Sequence, residues 1–321
     1  MDRRSVLKML AASSLMAYTP ALFAKDKQLT IYGPIVLPTL LLGVAAQQGQ
    51  SPQILPWSVD VWRDADVLRA GLANRTIEAS IVPSYVAANL AARGESVKLL
   101  NIMTKGLLQV VGRDGILTDF SELIGKKIVL PFKNDMPDLV MQALCKIRGI
   151  KFTDLDVLYA ATPPEALALF LHKKVDLALL PEPLASVGIM RGKLNGQTIE
   201  RVFDIQKAWE QASHTHTGIP QAGLLVSTAF YEANREFLGQ LHEDLQAALT
   251  WSLSHLAEAA KIGSQLIPVP TMAIETSLPH SNLVVTPSKA IEDDLMTFFS
   301  AMYELNPQIV GGKLPDSSLF A

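Results

Sequence analysis

The sequence lacks most of the features that mark catalytic, nucleic-acid-binding and membrane-spanning proteins. Only one cysteine, Cys145, occurs in 321 residues, so no disulfide can form within the chain. No G-x-S-x-G, H-E-x-x-H, C-x-x-C or phosphate-loop pattern is present, which argues against the enzymes that depend on them. Lysine and arginine number 28 against 31 acidic residues. Without a long basic block, the chain has no electrostatic footprint for nucleic acid.

The composition is that of an ordinary globular protein. Hydrophobic residues make up 49% of the chain and charged residues 18%, which excludes a disordered chain and a membrane protein with many spans. A chain of 321 residues can form two domains, each with its own core. Cys145 lies in LVMQALCKIRG, a pattern typical of an amphipathic helix. We therefore predict a buried structural thiol rather than a nucleophile.

The first 24 residues have the three parts of an export signal. MDRRSVLK is basic, MLAASSLMAY is apolar but too short to span a bilayer, and TPALFA offers small residues for cleavage after Ala21 or Ala24. Arg3-Arg4 also resembles the twin-arginine motif, so the general and the twin-arginine export routes both stay open. Because no cysteine follows the apolar run, we expect a soluble periplasmic protein without a lipid anchor.

Strands and helices alternate along the rest of the chain. Apolar and β-branched segments predict strands, and segments of helical spacing between a polar cap and a glycine predict helices. The predicted strands are 28–32, 51–57, 78–83, 97–103, 126–131, 155–160, 175–181 and 222–227. A long helix, with a break, is predicted over 227–263, and another helix is predicted from the TPSK segment at 286–289 through about Tyr303. This alternation predicts mostly parallel sheets with helices on both faces.

Two parts of the chain repeat one plan at an offset of 98 positions. Pro83 matches Pro181 at the end of a predicted strand, and Asp64 matches Thr162 as the predicted cap of a helix. Two independent α/β units of similar spacing would also give some matches. Because strands, caps and prolines all keep one register, we predict two similar βαβαβ lobes.

An ordered set of motifs occurs in the segments ADVLRAGLANRTIEASIVPSYVAANL, DFSELIGKKIVLP and ALFLHKKVDLALLPEPLAS. This set resembles that of ABC-transporter substrate-binding proteins of the nitrate, sulfonate, taurine and thiamine-precursor type. DFSELIGKKIVLP is similar to the family's strand opener, and ALFLHKKVDLALLPEPLAS to its segment that ends in Glu-Pro. ADVLRAGLANRTIEASIVPSYVAANL is similar to the equivalent first-lobe pattern, with Glu78 where the family usually has Asp. The resemblance covers residues 28–230. It implies the type II periplasmic-binding fold, with two α/β lobes, a ligand cleft between them and two crossover hinge strands.

The resemblance also implies how the chain is divided and what it does. The hinge strands are expected at 107–114 and 222–227. The expected parts are a signal peptide at 1–24, lobe I at 25–108, lobe II at 109–222, and a return to lobe I with C-terminal helices at 223–321. The implied function is delivery of a small molecule to an ABC permease in the inner membrane. We expect a monomer that is not an enzyme and needs no cofactor or metal.

Two other functions suit the same fold. Dehydratases and thiamine-pyrimidine synthases share it, but they work in the cytoplasm, which a cleaved export signal argues against. The synthases also use a cysteine-rich motif that a chain with one cysteine lacks. A periplasmic sensor that presents its ligand to a membrane receptor is the second alternative.

The candidate ligand site consists of residues near predicted strand ends, because parallel α/β sheets bind ligands beyond the carboxyl ends of their strands. These residues are Gly33, Pro34, Trp57, Ser84, Tyr85, Lys133, Asn134, Asp135, Met136, Thr162, Glu182 and Gln221. Trp57, Tyr85 and Phe132 either stack on a planar ligand or belong to the core. Lys133 and the helix N-termini suit an oxyanion such as a sulfonate, whereas Asp135 and Glu182 suit a small planar heterocycle that bears an amine.

Several of these residues also have a structural interpretation. Glu182, held between two prolines, either accepts a hydrogen bond from a ligand or caps the helix that follows. Asn134 and Asp135 either grip a polar ligand group or cap the helix that begins near Pro137. His214 and His216 are too few to indicate a metal site, and we predict none.

Overall fold

The computed structural model describes residues 28–62, 65–215 and 218–321. The predicted signal peptide, the predicted cap at Asp64 and the imidazole of His216 lie outside the described residues. Among the described residues, no helix is long and apolar enough to cross a membrane.

Twelve strands are present in the described residues. In chain order they are β1 Leu29–Gly33, β2 Trp57–Val61, β3 Ala79–Pro83, β4 Val97–Leu99, β5 Asn101–Thr104, β6 Leu108–Gly112, β7 Lys127–Pro131, β8 Asp156–Ala160, β9 Leu177–Pro181, β10 Glu200–Asp204, β11 Ala222–Ser227 and β12 Leu283–Pro287.

Thirteen α-helices connect and cover these strands in the same described part of the chain. They are α1 Pro38–Gln48, α2 Ser51–Ile54, α3 Ala65–Ala73, α4 Ser84–Ala92, α5 Met136–Ile147, α6 Pro163–Leu171, α7 Leu184–Leu194, α8 Ile205–Ser213, α9 Thr228–Ala233, α10 Arg235–Ser254, α11 Leu256–Gly263, α12 Thr271–Ser277 and α13 Glu292–Leu305.

The strands form two separate sheets. The first has the order β12-β5-β11-β3-β1-β2, with β4 also paired to β11, and the second has the order β10-β6-β9-β7-β8. In the first sheet β1 pairs in parallel with β2 and β3, and in the second β7 pairs in parallel with β8 and β9. An antiparallel strand completes each motif, β11 beside β3 and β6 beside β9. The chain is thus an α/β protein with two sheets of related topology.

The repeat predicted from the sequence is present in this topology. Strand β1 and strand β7 begin and end 98 positions apart, and so do β3 and β9. Their flanking helices correspond as well, since α1 and α5 occupy the same place after the first strand of each motif. The equivalent positions therefore carry equivalent elements, which two unrelated α/β units would not give.

The chain changes sheet twice, and the two crossing segments lie side by side. The first change falls between Thr104 and Leu108, and the second between Asp204 and Ala222. The backbone amide of Ile219 donates to the carbonyl of Lys105 at 2.9 Å. The amide of Leu107 donates to the side-chain oxygen of Gln221 at 3.0 Å. Both crossings are therefore joined by hydrogen bonds at one place between the sheets.

The segment SPQILPW is not the predicted strand. Its first four residues form the short helix α2, and the strand begins only at Trp57. A proline in the first helical turn is compatible with a helix because its missing N–H needs no partner there. The amide of Ser51 donates to the carboxylate of Asp244 at 2.7 Å. That partner lies in α10, far along the chain, so local sequence does not show it.

The C-terminal helices contact both halves of the molecule. The long segment predicted as one interrupted helix forms α9, α10 and α11, and α10 packs on α1 beside the first sheet. Helix α13 contacts α4 beside the first sheet and α5 beside the second. The ring centroid of Phe298 in α13 lies 5.5 Å from that of Trp209 in α8. Helix α13 thus also contacts the second half, whereas the sequence pattern predicted that these helices pack on lobe I.

Candidate functional site

A cavity of about 700 Å³ lies between the two sheets. Most of its lining residues lie at or after the ends of β1, β2 and β3 in the first half and of β7, β8 and β9 in the second half. The crossings between the sheets contribute Leu107, Leu108, Gln221 and Ala222. Parallel strands of a sheet end at one edge, and each is followed here by a helix whose N-terminus faces that edge. The cavity therefore occupies the position predicted for a ligand site in this class of fold.

The walls of the cavity are mainly apolar and unusually rich in proline. Three aromatic side chains, Trp62, Tyr85 and Phe132, contribute to them. The prolines are Pro34, Pro83, Pro137, Pro163, Pro164, Pro181 and Pro183. Proline tolerates the end of a strand and the first turn of a helix, since neither place requires its N–H. The same local chemistry that ends strands and starts helices thus gives the cavity a rigid wall.

Tyr85 and Asp135 form a hydrogen bond across the cavity. The Tyr85 hydroxyl, at the start of α4, donates to Asp135 Oδ1, before α5, at 2.5 Å. Burial raises the pKa of Tyr85, the Asp135 charge raises it further, and Arg69 acts in the opposite direction. Asp135 also accepts the Met136 amide at 2.7 Å and so caps α5. One carboxylate therefore fulfils the predicted capping role and also joins the two halves.

Four further predicted residues line the cavity, with distinct roles. Pro34 and Met136 contribute apolar surface. The Thr162 hydroxyl accepts the Glu165 amide at 3.3 Å, which confirms the predicted cap of α6. Gln221 lies at the crossing between sheets, with its side-chain oxygen bound to the Leu107 amide. The structure thus brings together residues from both repeats and from one crossing segment.

The carboxylate of Glu182 is not available to a ligand. It is fully buried and accepts hydrogen bonds from Arg201 Nε at 2.8 Å and Nη2 at 2.5 Å. The Ser186 amide and hydroxyl donate to its other oxygen at 3.1 and 2.9 Å. Burial raises the pKa of Glu182, and Arg201 opposes that effect. Ser186 is in the first turn of α7, so the capping interpretation applies to this carboxylate and the ligand-binding one does not.

Lys133 and Asn134 belong to the loop before α5 but do not line the cavity. The Lys133 ammonium lies over the ring of Tyr159, 5.0 Å from its centroid. Asn134 is exposed, and its backbone has a left-handed conformation with φ of 63°. Its backbone N–H donates to the carboxylate of Asp138 at 2.7 Å. The aspartate in the first turn of α5 thus fixes the loop and turns these two side chains away from the cavity.

Trp57, Gly33 and Ser84 also lie outside the cavity wall. Trp57 is only 5% exposed in the core, because it begins β2 rather than ending it, and its indole N–H donates to Ser51 at 3.1 Å. A Cβ at Gly33 would clash with the side chain of Thr39. The Ser84 hydroxyl donates to the Pro220 carbonyl at 2.5 Å instead of capping α4. These three residues support the fold beside the site.

Sequence reasoning missed Trp62, the aromatic residue that does follow β2. Its indole N–H donates to the Ile81 carbonyl at 3.3 Å, and its ring lines the cavity. The strand-end rule would have found it if β2 had been placed at Trp57–Val61. The remaining apolar lining residues were not predicted either. They are Val36, Leu68, Val86, Leu107, Leu108, Leu184 and Ala222. Ile35, which also lines the cavity, does belong to the strand-end loop Gly33-Pro34-Ile35 that the sequence predicts as part of the site.

A second, smaller depression of about 460 Å³ lies beside β10 and α8. The two arginines that line it each have an acidic partner. Arg201 pairs with Glu182, and Nη1 of Arg148 lies 3.6 Å from Oδ2 of Asp119. Within the described residues no group of three or more histidine, cysteine, aspartate or glutamate side chains could hold a metal. The exposed His214 follows α8 in a left-handed conformation.

Comparison with known proteins shows the fold. No protein-family model matches the sequence, and no curated protein matches it either. Among solved structures, an ABC transporter protein from Parabacteroides distasonis aligns with a TM-score of 0.78 and 16% identity, over 91% of this chain and 98% of that one. The periplasmic aliphatic sulphonate binding protein SsuA from Escherichia coli aligns with a TM-score of 0.73 and 16% identity, over 91% of each chain.

A more distant likeness has the same architecture. The periplasmic nitrate-binding protein NrtA from Synechocystis PCC 6803 aligns with a TM-score of 0.58 and 13% identity, over 78% of this chain and 69% of that one. The chain therefore has the fold of these binding proteins, which confirms the type II periplasmic-binding fold that the sequence resemblance implied.

Proposed function

We propose that this protein is an extracytoplasmic solute-binding protein that delivers a small molecule to an ABC importer. The observation that carries the proposal is the cavity of about 700 Å³ between the two sheets, which residues of both repeats line. A cavity of this size suits a small organic molecule. The site residues form hydrogen bonds that hold the walls together, and we propose that the protein binds and releases its ligand without chemical change.

The mechanism that we propose is closure of two lobes around the ligand. The lobes correspond to the predicted parts 25–108 with 223–321, and 109–222. A ligand that contacts both lobes stabilises the arrangement in which they are close, as in hinge closure of binding proteins. The crossings near Lys105 and Ile219 are the short segments about which such a motion turns. The closed form then docks on the permease.

The proposal includes export to the periplasm as a soluble monomer. It rests on the basic and apolar segments at the start of the sequence, which predict a signal peptide. Mass spectrometry of the protein purified from its own cells gives the mature N-terminus. We expect Lys25 or Leu22, and a cytoplasmic protein that retains Met1 would contradict export.

The test of binding is native mass spectrometry of the mature protein from its own periplasm. We expect a non-covalent small mass that is released on gentle denaturation. Small-angle X-ray scattering of the emptied protein, with and without the recovered compound, should then show a smaller radius of gyration with the compound. Uptake of the same compound by cells should fall when the gene is removed. Binding without any effect on uptake would contradict the transport role.

A further inference from the structure

The charges in the cavity compensate one another. Three charged residues contribute to its wall, namely Arg69, Asp135 and Glu182. The Glu182 carboxylate is occupied by Arg201 and Ser186. The Tyr85 hydroxyl interacts with both Asp135 and Arg69, so a negative and a positive group meet at one phenol. An oxyanion in this cavity would therefore find no excess of positively charged side chains to replace its hydration shell, and only the helix N-termini would favour it.

The apolar wall is larger than a small inorganic anion can use. Nitrate has four non-hydrogen atoms, whereas a cavity of about 700 Å³ corresponds to roughly 20 water molecules at liquid density. Most of the remaining wall consists of proline, leucine and aromatic surface. Apolar wall of this kind contributes to affinity only when a ligand removes it from water.

Two aromatic residues are held so that they can present a ring to a ligand. The Trp62 indole N–H is already bound to the Ile81 carbonyl, so its polar edge needs no ligand partner. Phe132 is 41% exposed and left-handed, with φ of 57°, a conformation that bulky residues rarely adopt. Strained residues of this kind cluster at ligand-binding places. Rings of this type favour a planar, apolar ligand body.

One acceptor in the wall has capacity for a ligand. Asp135 Oδ1 receives both the Tyr85 hydroxyl and the Met136 amide. No hydrogen bond to Asp135 Oδ2 from the described residues is present, and Asp135 lines the cavity. A carboxylate oxygen accepts hydrogen bonds only from donors. A ligand hydroxyl or N–H therefore matches this position, and a ligand oxyanion does not.

We propose that the ligand is a neutral, mainly apolar molecule with a planar body and one hydrogen-bond donor that faces Asp135. This inference rests on the proposed function, of which it specifies the ligand class. It departs from the sulfonate and nitrate that the names of the similar structures mention.

The test uses the neutral, planar amine N-phenyl-1-naphthylamine, whose fluorescence rises in apolar surroundings and which has one N–H. We expect saturable binding to the mature protein at one molecule per chain. Thermal-shift titrations with nitrate, methanesulfonate and taurine at matched concentrations should show no stabilisation. Saturable stabilisation by one of these anions, without binding of the amine, would overturn the inference and leave the proposed function intact.

Variants of the protein test whether the fluorescent amine binds in the cavity. Phe132→Asp should weaken amine binding roughly tenfold or more, since it removes an aromatic contact and adds a charge. Leu194→Asp is the matched control, because Leu194 is 79% exposed and outside the cavity. Equal binding by the two variants would place the amine elsewhere and overturn the inference. Asp135→Asn keeps a residue that caps helices and should weaken binding by a smaller factor.

The natural ligand gives an independent result. Organic extraction of protein from its own periplasm should yield an uncharged compound, and recovery of an anion would overturn the inference alone. If native mass spectrometry finds no bound mass and uptake of every probe is independent of the gene, the proposed function fails as well. The two failures are therefore distinguishable.

Discussion

Glu182 lies at the wall of the cavity, but its carboxylate forms an ion pair with Arg201 rather than facing a ligand. Glu182 follows β9 at the cavity wall, while its carboxylate points into the protein toward Arg201 of β10. The two hydrogen bonds that Arg201 donates to Glu182 both go to Oε1, and the Ser186 hydroxyl donates to Oε2. A buried ion pair of this type is costly to break, because one charge is then left without a partner.

Replacing Arg201 alone should therefore destabilise the protein strongly. We expect Arg201→Met to lower the free energy of unfolding by roughly 3–5 kcal/mol, as for other broken buried pairs. The double variant Arg201→Met with Glu182→Gln should recover a large part of that loss, since no unpaired charge remains. Urea unfolding followed by circular dichroism measures both. A single variant within about 1 kcal/mol of the original protein would contradict a buried pair of this importance.

The phenol of Tyr85 gives a pH dependence at alkaline pH. Burial and Asp135 raise its pKa above the ordinary value of 10.0 in the folded state. At pH values below 10 the phenol is protonated in both states, and its contribution to stability is complete. Above that pH the unfolded chain releases the proton first, so stability falls by up to about 1.4 kcal/mol per pH unit.

Tyr85→Phe should remove this part of the pH dependence. Urea unfolding at about pH 9 and about pH 10.5 should show a smaller loss for Tyr85→Phe than for the original protein. Tyr303→Phe, on the exposed surface of α13, is the control and should keep the original loss. Equal losses for all three proteins would show that Tyr85 titrates normally.

At the scale of elements, Gly223 allows two strands to approach. It lies in β11, and a Cβ there would overlap the backbone carbonyl of Asn101 at the start of β5. Backbone cannot move aside as a flexible side chain can, so Gly223→Ala should lower the melting temperature or prevent folding. Gly239 in α10 has open space around its Cα.

Gly239→Ala should have the opposite effect on stability from Gly223→Ala, because a Cβ at Gly239 meets no other atom. Because alanine favours helices over glycine, it should stabilise the protein by about 0.5–1 kcal/mol. Differential scanning calorimetry of the two variants gives the comparison. Similar melting temperatures for Gly223→Ala and Gly239→Ala would contradict the close approach of β5 and β11.

The sequence predicted elements well where local chemistry determines them. Strands β3 and β9 end at the predicted prolines. Asp135 caps the helix that follows β7, and Thr162 caps the helix that follows β8. Prediction failed where a distant partner decides. Asp244 holds the start of α2, and the position of Trp57 follows from that helix.

The same contrast between local chemistry and distant partners explains which residues of the candidate site were predicted correctly. The strand-end rule found Tyr85, Asp135 and Thr162, because each adjoins its own strand. It misjudged the Glu182 carboxylate because Arg201 reaches it from another strand. It also misjudged Lys133, which the ring of Tyr159 holds outside the cavity. Side-chain direction depends on such tertiary partners, and a linear pattern does not contain them.

At the scale of the whole molecule, α13 joins the two halves into one core. Phe298 is fully buried, packs against Trp209 and Phe299, and belongs to a cluster that includes Val82 of the first sheet and Leu130 of the second. Phe298→Ala should cost roughly 3–5 kcal/mol. Hydrogen exchange should show the loss of protection in both sheets.

The matching control is Leu253→Ala. Leu253 is 46% exposed on α10, so its replacement should change stability by less than about 1 kcal/mol. Loss of protection confined to one sheet in Phe298→Ala would indicate that the halves unfold independently.

The seven prolines around the cavity have a thermodynamic consequence. A proline ring has almost no rotamer freedom to lose, whereas a wall of lysine, methionine or glutamine would become ordered at a cost of up to about 2 kcal/mol per side chain. Calorimetry should therefore show a small entropic penalty from the wall and a negative heat-capacity change from the buried apolar surface. Selectivity in such a cavity follows from shape, since its walls adapt little to a ligand that does not fit.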